Sequence, residues 1–167
     1  MSNTVTHVFT AYLLALPLRR KLIISALLIG AALPDTESLF YAVQALGSCA
    51  TTQCIAEWPS HFVMHSFLGL LLIVAPLATI AALWLRDRRF NRWRIGLPMI
   101  YASALLGGML HLIPDLTMHA GADALHLLWP AAQTFGFSFP GAGLIWDALS
   151  LFGAAAFIWN ERGKVFK

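Results

Sequence analysis

The sequence predicts an all-α membrane protein, a single polytopic bundle of about five apolar helices spanning residues 1–167. Three observations predict it. Hydrophobic residues make up 59% of the 167 positions and charged residues only 11%, against roughly 25% charged in ordinary soluble domains. The apolar residues fall into five stretches, divided by Pro, Gly or charged breaks. All 11 Lys and Arg residues lie in three short clusters: Arg19, Arg20, Lys21; Arg86, Arg88, Arg89, Arg92, Arg94; and Arg162, Lys164, Lys167. These clusters follow the first, third and fifth stretches, so they share one face of a five-span bundle, and by the positive-inside rule that face is cytoplasmic. The expected location is a bacterial-type cytoplasmic (inner) membrane, multi-pass.

Segment one, Val5 to Leu18, ends at Pro17 and at 1.5 Å per residue reaches only about 21 Å, short of a hydrocarbon core of about 30 Å. No basic region precedes it and no small-residue cleavage site follows, so it is expected to remain in the mature protein. Segment two, Leu22 to Leu33, runs into Pro34 and Asp35, with Leu39 to Leu46 offering a second helical piece. Segment three, Phe62 to Leu85, is long enough to span and places Trp84 as an interfacial anchor. Segment four, Ile95 to Leu112, carries Gly107 and Gly108, which permit a close helix contact. Pro114 is expected to bend or end that helix. Residues 114–140 mix His, Asp, Gly, Pro and aromatics and read as a cap on the outer face. Segment five, Ala142 to Trp159, contains Asp147, best read as a helix–helix hydrogen-bonding group.

The formal net charge of +3 does not point to nucleic acid, because the basic residues flank apolar segments and no nucleic-acid motif lies beside them. Contact with anionic headgroups suits them better. Cys49 and Cys54 fall in a loop placed outside, where they are either a disulfide or two free thiols. Nothing in the sequence sets the oligomeric state.

The candidate chemistry lies at the other ends of the segments. His111 and Asp115 are four residues apart and share a helical face, which is half a metal site or a structural His–Asp pair. His61 and His65 repeat the spacing at the start of segment three. Asp35 and Glu37 follow the Leu33, Pro34 break, where a carboxylate bridges metals or holds a water as general base. His7 begins segment one on the same side, and whether His119 joins depends on Pro114. His126, in the cap, reads as structural or solvent-facing. The candidate ligands are therefore His7, Asp35, His61, His65, His111, Asp115 and His119, with Asp35 and Glu37 as candidate catalytic carboxylates. They come from four helix ends on one side of a topology that was derived from Lys and Arg alone.

From His7 to Pro130 these motifs resemble the membrane-bound metal-dependent hydrolases typified by YdjM. The matching stretches are His7; Leu33, Pro34, Asp35 with Glu37; His65, Ser66; His111 with Asp115; Gly121; and Leu127, Leu128, Trp129, Pro130. Glu37 and Ser38 replace the family's second Asp and following His, His61 lies one position off a family His, and His119 has no usual counterpart. That family is in turn similar to the all-helical zinc phospholipase C and single-strand nuclease fold. The resemblance implies two or three zinc ions or other divalent metals, with His7, Asp35, His65, His111 and Asp115 as ligands and Asp35 doubling as base.

The expected function is hydrolysis of a phosphoester of a membrane lipid or lipid-linked phosphate at the outer face. No cationic side chain remains on that face to clamp a phosphate, which argues against a large polyanion as substrate. The rival readings are a non-enzymatic membrane protein that binds or transports a metal, and a haem-binding protein using the paired His residues of segments three and four.

Overall fold

The computed structural model describes residues 4–36, 63–84, 96–119 and 124–165, with side chains to residue 161. Glu37, Ser38, Cys49, Cys54, His61, Gly121, the Leu39 to Leu46 piece and the Arg86 to Arg94 cluster lie outside the described residues. Helix α1 is Thr4–Ala15 and α2 is Ile24–Ala32. They are followed by α3, Phe67–Trp84, α4, Leu97–Met118, and α5, Ala142–Val165. The described residues contain no strand; two residues, Leu125 and Phe135, form an isolated antiparallel bridge.

Three helices are long and apolar enough to cross a membrane: α3, α4, and α5 over Ala142–Glu161. The first two are shorter, about 18 Å and 14 Å at 1.5 Å per residue. Each stops at a proline. Pro17 lies at the start of a 3-10 turn, Leu16–Lys21, that carries Arg19, Arg20 and Lys21. Pro34 opens a second 3-10 turn, Pro34–Thr36, where its missing N–H costs nothing but its ring blocks continuation of the α-helix. The Thr36 hydroxyl closes that turn on the Leu33 carbonyl at 2.7 Å.

Small residues let the backbones meet. A Cβ at Gly30 would overlap the Ala104 carbonyl, and one at Gly107 would overlap the Leu27 carbonyl, so α2 and α4 touch along two glycines. Gly153 does the same for α5 against the Phe9 carbonyl of α1, and Phe157 packs edge-on to Tyr12 at 5.2 Å beside it. The close contact predicted for Gly107 and Gly108 is present; Gly108 faces Leu70 and Val74 of α3.

Two prolines within helices have visible consequences. In α3 the stretch Leu70–Val74 widens into a π turn, so the Ala75 N–H bonds the Leu70 carbonyl. The Leu71 carbonyl thereby loses its α-helical donor, and Pro76, next in register, has no N–H to offer. Tyr101 of α4 supplies the missing donor, its hydroxyl lying 2.5 Å from the Leu71 oxygen. In α4 the helix does not end near Leu112 but runs through Pro114 to Met118, correcting the expected boundary. The last turn is held from outside it. Phe137 N–H donates to the Leu116 carbonyl at 2.8 Å, and Trp146 Nε1 to the Thr117 hydroxyl at 2.6 Å.

The cap consequently begins later than the predicted residue 114. Its described part, residues 124–141, is largely non-helical. Leu125 and Leu127 bury against Leu70, Val74 and Leu112, and the Phe67 N–H at the start of α3 donates to the Leu127 carbonyl at 3.0 Å. The cap is thus fastened to both α3 and α4.

Candidate metal centre

The alternating course of the helices brings the start of α1, the turn after α2, the approach to α3 and the last turns of α4 to one end of the bundle. His7, Asp35, His65, His111 and Asp115 meet there. His7 is on the buried face of α1. Asp35 is set by the Pro34–Thr36 turn.

His65 is not within a helix, as its spacing from His61 suggested; it occupies a turn before α3. Ser66 makes that turn. Its hydroxyl donates to the Val63 carbonyl at 2.6 Å and accepts from the Gly69 N–H at 3.0 Å as the N-cap of α3, the role for which Ser is favoured. A Cβ at Gly69 would overlap the Val63 carbonyl, so the turn needs this glycine. His65 is left 4% exposed, facing the cluster.

Asp115 is the hub. Its Oδ2 lies 3.0 Å from His111 Nε2 and 3.5 Å from His65 Nε2. Its Oδ1 lies 3.3 Å from His7 Nε2 and 3.7 Å from His119 Nε2. Asp35 Oδ1 is 3.6 Å from His111 Nε2, and the Nε2 atoms of His111 and His65 are 3.3 Å apart. The rings of His7 and His111 stack at 4.0 Å. Because α4 stays helical through Pro114, His119 reaches Asp115, resolving the question its position left open.

The protonation of His111 follows from one contact. Its Nδ1 lies 2.8 Å from the Ala31 carbonyl oxygen, which only accepts, so Nδ1 carries the proton. Ala31 is in the last turn of α2, where carbonyls lack intrahelical partners. In the neutral ring Nε2 then presents a lone pair, and it points at two carboxylates and another imidazole. A lone pair facing carboxylate oxygens needs a cation between them, either a further proton or a metal ion.

The spacing suits a metal. Bonds of about 2.0–2.1 Å to nitrogen or oxygen at tetrahedral angles place neighbouring donor atoms about 3.3 Å apart. Two triplets among the described residues have donor atoms within 4.8 Å of one another: His7, His111, Asp115 and Asp35, His65, His111. His111 has one free lone pair and serves one ion, so the triplets are overlapping choices around a five-residue cluster. His119 falls outside both.

The remaining expectations fall elsewhere. Asp147 accepts from the Thr6 hydroxyl at 2.8 Å and ties α5 to α1, the helix–helix role expected of it. His126 lies in the cap, partly exposed, its carbonyl accepting from Trp129 N–H at 2.9 Å. Glu37 and His61 lie outside the described residues. What spacing alone missed was the Ala31 carbonyl, a backbone group that orients His111 yet has no signature in the sequence.

Searches against protein-family models, characterised proteins and solved structures return no match to this chain.

Proposed function

We propose that this chain is a membrane-embedded, metal-dependent hydrolase acting on the phosphoester of a lipid or lipid-linked phosphate at the outer face of the cytoplasmic membrane. The carrying observation is the lone pair of His111 Nε2, aimed into a cluster of acceptors while a backbone carbonyl fixes its tautomer. Metal-bound imidazoles characteristically donate their second N–H to such a carbonyl.

Protons alone serve this cluster badly. Protonating both His7 and His111 would stack two imidazolium rings at 4.0 Å, where like charges repel by about 4 kcal/mol at an effective dielectric of 20, while protonating only one leaves the two carboxylates with a net negative charge. One or more divalent ions, with zinc the best fit to a His and Asp donor set, would neutralise the carboxylates and engage the imidazoles without that repulsion. A bound ion of this kind lowers the pKa of water and offsets charge on a phosphoryl group.

The chain's own carboxylates divide by exposure. The Asp115 side chain is 4% exposed and the Asp35 side chain 18%. Asp115 is therefore the fixed ligand, while Asp35 is open to a substrate water and accepts its proton as the water oxygen attacks phosphorus. The P–O ester bond breaks, and the same proton passes to the departing alkoxide. The short α1 and α2 would set this centre below the membrane surface, within reach of a lipid headgroup. The resemblance to the YdjM-type membrane hydrolases supports the same reading, as does the position of Arg19, Arg20 and Lys21 in the turn after α1, at the opposite end of that helix from His7.

The test is elemental analysis of the purified protein in mild detergent, beside a His111→Ala, Asp115→Ala double variant. Zinc in the parent and its loss in the variant are expected, followed by phosphate release from lipid phosphoesters. Bound metal without turnover on any lipid phosphoester would favour the metal-binding rival, and a protein without metal would sink both.

A further inference from the structure

Between the start of α3 and the cap lies an open apolar groove of about 320 Å³. Phe67, Leu68 and Leu71, from the first turns of α3, form one wall, and Leu127, Leu128 and Trp129 of the cap form the other. The Phe67 N–H to Leu127 carbonyl bond, 3.0 Å, joins the two walls at their base. Phe67, Leu68, Leu71 and Leu128 remain 39–46% exposed, so the groove is open.

We infer that this groove holds the hydrocarbon chain of a membrane lipid, the tail of a molecule whose polar head lies at the His and Asp cluster. The inference rests on the membrane reading proposed above, and three features of the groove favour that occupant. None of its six lining residues carries a charge or a side-chain carboxylate, so only an apolar ligand gains by entering. It opens on the outward face of a helix long and apolar enough to cross a membrane, continuous with the exposed Leu72, so lipid chains are what the groove would meet. Phe67 in its lining is two residues from His65, the ligand candidate on the approach to α3, which puts a head beside the cluster within reach of a molecule whose tail enters the groove.

Covering this surface gains free energy against water but nothing against lipid, which is already apolar. The groove therefore selects by shape and position, holding one chain still while the head is aligned.

The experiment uses the full chain in lipid nanodiscs containing a trace of phosphatidic acid with a diazirine on its acyl chain. After illumination, labelled residues are mapped by peptide mass spectrometry. Label concentrated on residues 67–71 and 127–129, above that on Leu72 and Leu144, is expected, because those two are more exposed (62% and 77%) at the same end of the bundle. Leu71→Trp and Leu128→Trp, which fill the groove, should each abolish the excess at the opposite wall. Label that simply follows exposure would mean ordinary surrounding lipid and would overturn the inference. Metal content measured on the same samples separates the two readings. Groove labelling on metal-free protein upholds the groove and sinks the hydrolase, whereas full metal with exposure-weighted label sinks the groove and leaves the metal centre standing.

Discussion

Gly30→Ala should damage a site that Gly30 does not touch. A Cβ at this position overlaps the Ala104 carbonyl, and restoring an ordinary contact requires α2 and α4 to part by about 1 Å. Ala31 is the next residue, and its carbonyl holds His111 Nδ1 at 2.8 Å. Parting the helices stretches that bond to about 3.8 Å, outside hydrogen-bond range. Overpacking costs about 1–3 kcal/mol, and the broken buried bond about as much again, so the loss should reach about 2–6 kcal/mol. The assay is thermal unfolding in detergent together with metal equivalents per chain. Gly143→Ala is the control, since a Cβ there meets nothing within 4 Å; it should be neutral or stabilise by up to about 1 kcal/mol. A Gly30→Ala protein that melts with the parent and keeps its full metal would refute the coupling between helix packing and the orientation of His111.

Tyr101→Phe removes the hydroxyl that donates to the Leu71 carbonyl at the π turn of α3, and should destabilise by about 1–3 kcal/mol without changing metal content, read by the same two measurements. Chelation should lower the melting temperature of the parent, since a ligand at a hundred times its Kd contributes about 2.7 kcal/mol. The His111→Ala, Asp115→Ala variant should show no such shift. His126→Ala should leave metal stoichiometry unchanged, because His126 belongs to neither donor triplet; loss of metal would redraw the centre.

The helical class, the three long apolar helices and the gathering of His and Asp at one end were legible because they rest on composition and on charge position, which the chain displays residue by residue. The glycine contact at Gly107 was legible too, since a glycine pair within an apolar helix has few other uses. The end of α4 was not. Pro114 ordinarily stops a helix at a cost of about 3 kcal/mol, and what offsets it here is remote: Phe137 and Trp146, some 20–30 positions on in sequence, hold the last turn. The placement of His65 failed for the converse reason. Segment three reads as one helix from Phe62, but residues 63–64 are helical and the Ser66 cap and the tight turn at Gly69 break the run at His65, so that α3 starts only at Phe67. Local patterns are readable locally; exceptions sustained by distant contacts are not.

The two carboxylates offer the sharpest separation of holding a metal from using it. Asp115 has both oxygens engaged, Oδ2 by His111 and His65 and Oδ1 by His7 and His119, and it is nearly inaccessible. Asp115→Asn preserves the shape but removes the central negative charge and turns one acceptor into a donor aimed at imidazole nitrogens. Metal should be lost, and turnover with it. Asp35 meets the cluster at 3.6 Å to His111 and stands closer to solvent. Asp35→Asn should therefore retain more metal than Asp115→Asn, while hydrolysis per bound metal falls by 10²–10⁴-fold, the usual contribution of a positioned general base. Metal titration and lipid phosphoester turnover on the same preparations decide it. If the two variants lose metal equally and the residual activity of Asp35→Asn scales with its metal, Asp35 is a ligand and nothing more, and the proton must be taken by another group.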